Sequence, residues 1–186
     1  MFKKFSNKFT ASSRRGFTLI ELLVVLGILG ILAAALLAAI NPVEQLRKGQ
    51  DTSLKTEATE FINANVRYYS TTNALPWFSV ANGGANCYSG GNTLNAVALN
   101  NLTGCITSLV GNGELKSSFA GASNLSKIIV TNPNPQSGNA SDVIACFQPQ
   151  SASQQLDPNT KYTQTGANGT ACKSTGGNTS CYWCAQ

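Results

Sequence analysis

The stretch Arg14–Ile40, RRGFTLIELLVVLGILGILAAALLAAI, decides how the rest of the chain is read. From Phe17 to Ile40 it runs 24 residues with a single charge, Glu21. As a helix rising 1.5 Å per residue it is about 36 Å long, against a bilayer hydrocarbon core of about 30 Å. A secretory signal peptide has a shorter apolar region, about 7–15 residues, ending in small residues. Ala33-Ala34-Ala35 and Ala38-Ala39 mimic such an end, but the run is too long and Glu21 is out of place. A plain uncleaved anchor explains the length and leaves Glu21 as an unexplained cost. That cost is about 2.5–3.5 kcal/mol at the bilayer centre and less near the interface. The first cysteine is Cys87, which excludes a lipoprotein.

The order Gly16-Phe17-Thr18-Leu19-Ile20-Glu21, with two arginines before it and an unbroken apolar run after it, resembles the N-terminal signal of the type IV pilin family. These are bacterial filament subunits and their secretion-system relatives. The resemblance implies cleavage between Gly16 and Phe17 by a prepilin-type membrane peptidase, which can approach a residue that has no side chain. It also implies methylation of the new Phe17 amine. Glu21 would then neutralise the amine of a neighbouring subunit and set the axial register of a filament. Phe17 and Glu21 are four apart, so they share a helix face and an intrachain pair is the alternative. An interfacial glutamate reaching water is the plainest reading. The implied partners are copies of this chain or related pilins, the peptidase, the inner-membrane assembly machinery and membrane lipid.

The formal charge of +5 belongs to the first sixteen residues. Lys3, Lys4, Lys8, Arg14 and Arg15 precede Phe17 with no acid among them, and the remainder carries eight basic and eight acidic residues. A basic flank stays cytoplasmic, so the N-terminus is expected inside and the following domain outside. With that flank removed the net charge is zero, and no nucleic-acid partner is expected.

Gly27 and Gly30 are small enough to let spanning helices approach, although spans also tolerate such residues without a role. Pro42 lacks a backbone donor, so a kink or break is expected near Ile40–Asn41. In many pilins a proline comes earlier in the span. From Val43 to about Asn73 the pattern is amphipathic: Val43, Leu46, Leu54, Ala58, Phe61, Ile62, Asn65 and Tyr69 recur at spacings of mostly three and four. Glu44–Lys48 and Asp51–Lys55 are acid-before-base pairs that support a helix, Gly49 weakens it, and Leu75-Pro76 is expected to end it.

Tyr68 to Gly113 contains no charge, and Asn, Gly, Ser and Thr dominate onward. Leu94, Val97, Ala98, Leu102, Cys105, Ile106 and Leu109 predict a helix closed by Gly111, and Leu115–Phe119 a further helical turn. Strands are expected at Lys127–Thr131, at Asp142–Phe147, around Tyr162 and at Ser180–Ala185. The fold class is α+β: a long bent N-terminal helix, half transmembrane and half amphipathic, packed on a small antiparallel sheet with disulfides. The expected divisions are a leader over 1–16, a transmembrane helix over 17–41, an amphipathic helix over 42–74 and an extracytoplasmic domain over 75–186.

Six cysteines, Cys87, Cys105, Cys146, Cys172, Cys181 and Cys184, fit an oxidising compartment and compensate for a thin core. Of fifteen possible pairings, the expected one joins Cys87 to Cys105, Cys172 to Cys181 across Gly176-Gly177, and Cys146 to Cys184. Cys181-Tyr182-Trp183-Cys184 stands without a histidine or a second CxxC, so it does not make a zinc site. Histidine is absent, and the only acids after residue 60 are Glu114, Asp142 and Asp157, in three unrelated settings. No catalytic constellation and no cofactor are therefore expected. The sequons at Asn101, Asn124, Asn139, Asn168 and Asn178 are what an Asn-, Ser- and Thr-rich segment produces by chance. Trp77, Phe78, Tyr182 and Trp183 read as core residues.

Three functions fit this pattern. The first is a prepilin, the structural subunit of a type IV pilus-like filament. The second is a pseudopilin of a type II secretion system, against which the shortage of acids for a calcium site counts. The third is a membrane-anchored binding or adhesion module that never polymerises.

Overall fold

The computed structural model describes residues 16–78, 84–132, 142–169 and 181–186. The chain divides into two compact units, Met1–Pro42 and Val43–Gln186. In the first, α1 runs from Leu19 to Ala39. Its 21 residues make a rod about 32 Å long. It is apolar on every side, and its large side chains, from Leu19 at 82% exposure to Leu37 at 71%, face outward with nothing of the unit to cover them. A helix hydrophobic all round belongs in lipid or against other helices.

Ile40 leaves the helix with extended dihedrals, φ −101° and ψ 123°. A second helix, α2, then runs from Pro42 to Thr72. The interruption falls at Ile40–Asn41, where Pro42 was expected to kink or break the helix. Proline is well placed as the first residue of α2, where its missing N–H would have no partner anyway. The helix stops before Pro76: Asn73 turns left-handed at φ 58° and its N–H bonds to Tyr69 O at 2.8 Å, closing the last turn.

In the second unit five short strands form one antiparallel sheet in the order β1-β2-β3-β5-β4. They are β1 (Val97–Ala98), β2 (Ile128–Thr131), β3 (Ile144–Phe147), β4 (Thr160–Tyr162) and β5 (Tyr182–Ala185). A 3-10 turn over Leu99–Leu102 leads into α3 (Thr103–Gly111), further 3-10 turns cover Ser117–Gly121 and Leu125–Lys127, and α4 is the single turn Ala152–Gln155. The α+β class is as expected, and so are the turn at Asp157 and the strand around Tyr162, while the helix expected over 94–111 needs correction. Only the C-terminal half of the 94–111 segment is α-helical; Ala96 takes φ 53°, and Val97 and Ala98 pair with Val130 and Ile129. The β4 and α4 elements bracket a turn at Asp157 that accepts from the Asn159 and Thr160 N–H groups.

One core holds this unit together. Leu54, Ala58, Phe61 and Ile62 of α2 are buried with Trp77, Leu94, Leu102, Ile106, Val130 and Phe147. Each such aliphatic or aromatic side chain contributes about 1.5–3 kcal/mol by leaving water. Phe61 stacks on Phe119 at 6.4 Å, and Phe147 meets Trp183 at 5.4 Å. Val43 and Leu46 were expected on this face but are 54% and 69% exposed, while Tyr69 packs half-buried against the core beside the buried Tyr68. Trp77, Phe78 and Trp183 are core residues, while Tyr182 is half-buried.

Two disulfides lie between described residues and pin the unit. Cys87–Cys105 ties the loop after α2 to α3, and Gly104 sits where a Cβ would come within 2.7 Å of Cys87 O, so the crossing demands glycine. Cys146–Cys184 joins directly opposed residues of β3 and β5, while their neighbours Ala145, Phe147 and Trp183 join the core. Cys181 is also disulfide-bonded. Cys172 lies outside the described residues, and with it the expected partner of Cys181.

Candidate functional site

The start of α1 carries the chemistry that the sequence singles out. Gly16 has open space where a Cβ would stand, and Phe17 is 82% exposed. Thr18 is the N-cap, with extended dihedrals of φ −81° and ψ 149°. Its Oγ1 accepts from the Glu21 N–H at 3.2 Å. In return Glu21 Oε2 accepts from the Thr18 N–H at 2.9 Å and from the Thr18 hydroxyl at 2.8 Å. This is a capping box: two backbone donors that a helix start leaves orphaned are satisfied reciprocally. The Thr-x-x-Glu spacing of Thr18 and Glu21 is the local sequence signal of this box.

Both of these bonds fall on Oε2. Among the described residues Glu21 Oε1 has no partner, and the side chain stands exposed on α1. One carboxylate therefore holds its own helix start and keeps a second oxygen facing outward. Phe17, Ile20, Val24 and Val25 line the helix surface around it. The first turn is thus apolar apart from one aimed anion.

The second unit contains a polar lock that local sequence did not reveal. Asp51 of α2 is fully buried, and its carboxylate faces the chain that follows β3. It accepts from the N–H of Gln150 at 3.0 Å, from the N–H of Ser151 at 2.8 Å and from the Ser151 hydroxyl at 2.6 Å. Glu44, two helical turns earlier, accepts from the Ala152 N–H at 2.8 Å. Two acids of α2 thus hold the chain leading into α4 and its first residue. Asp51 was expected to support the helix through Lys55. Lys55 instead stands over the Trp183 ring, 4.9 Å from its centroid. At the other end of α2, Arg67 Nε pairs with Glu114 Oε2 at 2.9 Å.

No group of three or more His, Cys, Asp or Glu side chains able to hold a metal occurs among the described residues. Cys146 and Cys184 are joined to each other, so the CxxC segment supplies no thiolate from Cys184.

The family model described as the prokaryotic N-terminal methylation motif matches residues 11–37, the signature of type IV pilins and pseudopilins. No curated protein and no solved structure matches the chain. The match covers Gly16, Phe17, Thr18 and Glu21 together with most of α1, and stops before the second unit begins.

Proposed function

We propose that this chain is a prepilin, a structural subunit made as a membrane-anchored precursor and assembled into a type IV pilus-like filament. The observation that carries the reading is a helix apolar on all sides whose lone carboxylate stands beside the Gly16–Phe17 junction. The methylation motif and the apolar helix fit a membrane-anchored protein that later becomes surface-exposed. In this reading residues 1–16 are a cytoplasmic leader, residues 17–41 span the membrane and the oxidised unit lies outside. A prepilin peptidase cuts after Gly16 and the Phe17 amine is methylated, which keeps its positive charge.

In a bundle of apolar helices both the amine and the carboxylate are costly unless each meets an opposite charge. The capping box defines how Glu21 can serve two roles. Oε2 stays on Thr18 and preserves the helix start, while Oε1 receives the amine of a neighbouring subunit. Register along the filament then follows from one charge-assisted hydrogen bond per contact. A pseudopilin of a type II secretion system would use the same helix start. Six cysteines, with few acids in the C-terminal half, favour the pilus subunit.

Glu21→Ala tests the proposal. It should leave membrane insertion, cleavage and the disulfides intact while stopping incorporation into filaments, scored by electron microscopy of sheared surface fractions. Glu21→Gln separates charge from capping, since its amide oxygen can still cap Thr18. It should also fail to assemble. Normal incorporation of Glu21→Gln would show that the carboxylate's charge is not the assembly contact. Normal incorporation of both variants would remove Glu21 from assembly altogether.

A further inference from the structure

The second unit has a cleft of about 450 Å³ between the first half of α2 and the central strands of the sheet, β2, β3 and β5. Arg47 and Gln50 enter it from α2, Lys127 from the turn before β2, Gln148 and Gln150 from the chain after β3, and Tyr182 from β5. Among the described residues two cations, several primary amides and one phenol line it, and no carboxylate does.

Three other basic side chains of the unit are engaged: Arg67 with Glu114, Lys55 over Trp183, Lys161 over Tyr162. Arg47 has acids three residues before it and four residues after it, Glu44 and Asp51, at the spacings where helix ion pairs form. Both acids are held toward the Gln150–Ala152 backbone instead. The same lock therefore engages both acids that stand at helix spacing from Arg47. Among the described residues neither the Arg47 guanidinium nor the Lys127 ammonium has an ion-pair partner.

A concave site with two uncompensated cations favours an anion. The rest of the lining restricts which anion. A glutamine amide both donates and accepts, as a hydroxyl group does, so several amides around one cleft complement a ligand dense in hydroxyls. Half-buried Tyr182 offers a flat apolar face with a polar tip, suited to the C–H face of a sugar ring. A nucleic acid is disfavoured, because affinity for it scales with the number of phosphates neutralised, and this cleft supplies two cations on a unit close to neutral.

We propose that this cleft binds an acidic polysaccharide segment, with Arg47 and Lys127 taking carboxylates and the glutamines and Tyr182 reading ring hydroxyls. The proposal is independent of filament assembly, since every residue it uses lies within the second unit.

The test uses the full chain in detergent micelles, titrated with a hexamer of galacturonate and followed calorimetrically. Maltohexaose, inorganic sulfate and a twelve-nucleotide single-stranded DNA serve as comparators. The galacturonate hexamer should bind, with an affinity that falls as salt rises, and maltohexaose should not. Arg47→Gln with Lys127→Gln should weaken that binding by tenfold or more at unchanged circular dichroism. Gln148→Ala should weaken the hexamer several-fold without changing sulfate affinity, which separates hydroxyl reading from charge. Three results would each overturn the proposal: no binding of the hexamer, equal binding to the double variant, or tighter binding of DNA with the same dependence on Arg47 and Lys127.

Discussion

Replacing Asp51 with alanine should be among the most damaging single changes available in the second unit, and the size of the effect follows from its hydrogen bonds. The carboxylate is 0% exposed and accepts from two backbone N–H groups and one hydroxyl. Gln150 is exposed, so its N–H can turn to water once the acid is gone. Ser151 is fully buried, so its N–H and its hydroxyl proton are left without an acceptor, although the hydroxyl oxygen still accepts from the Gln154 N–H. Each buried orphan costs about 1–3 kcal/mol, and a hydrogen bond to a charged acceptor contributes about 1.5–3 kcal/mol. The variant keeps no charge to bury, which offsets part of this. The expected loss is about 3–5 kcal/mol out of a total of about 5–15 kcal/mol for a domain of this class. Asp51→Asn retains one acceptor but turns an amide donor toward donors, and should lose about 2–3 kcal/mol. Urea unfolding of the full chain in micelles reads this directly, because Trp77 and Trp183 both lie in the core and report through fluorescence. A midpoint for Asp51→Ala within about 1 kcal/mol of the unaltered protein would refute the claim that this carboxylate locks α2 to the chain after β3.

Two further outcomes are expected. Removing the β3–β5 bridge with Cys146→Ala and Cys184→Ala together should lower unfolding stability by about 2–4 kcal/mol without changing the mapped Cys87–Cys105 pair; non-reducing peptide mapping with denaturation checks both parts. Gly166→Ala should destabilise by about 1–2 kcal/mol, a cost set by the left-handed backbone. Gly166 has φ 78° and its added Cβ would lie 2.7 Å from Ile144 Cδ1; thermal unfolding reads the loss, and an unchanged Tm would mean the backbone relaxes at no cost.

What the sequence made legible depended on the range of the interaction involved. The run from Phe17 to Ile40 is a one-dimensional signal: length, polarity and one misplaced charge suffice, and no distant residue alters them. The break before Pro42 and the strands at β2, β3 and β5 are likewise local, set by a missing donor and by short β-branched runs between turn residues. Periodicity failed at Leu94–Leu109, where an apolar segment fits a helix and a strand alike and long-range pairing to Val130 and Ile129 decides the outcome. It also misplaced the buried face of α2 near its start. Val43 and Leu46 are apolar and correctly spaced, yet Asp51 and not Leu46 turns inward, because its partners Gln150 and Ser151 lie about a hundred residues away. No local pattern carries that information. Thr18 is legible as the partner of Glu21 through the Thr-x-x-Glu spacing, which is itself a local signal.

The central claim is that this chain is processed at Gly16–Phe17 and becomes a surface filament subunit. Mass spectrometry of the N-terminal peptide recovered from sheared surface material tests it most directly. The account predicts a peptide that begins at Phe17 and carries a methyl group on its α-amine. An intact Met1, or a terminus created after Ala35 or Ala39, in that material would contradict it.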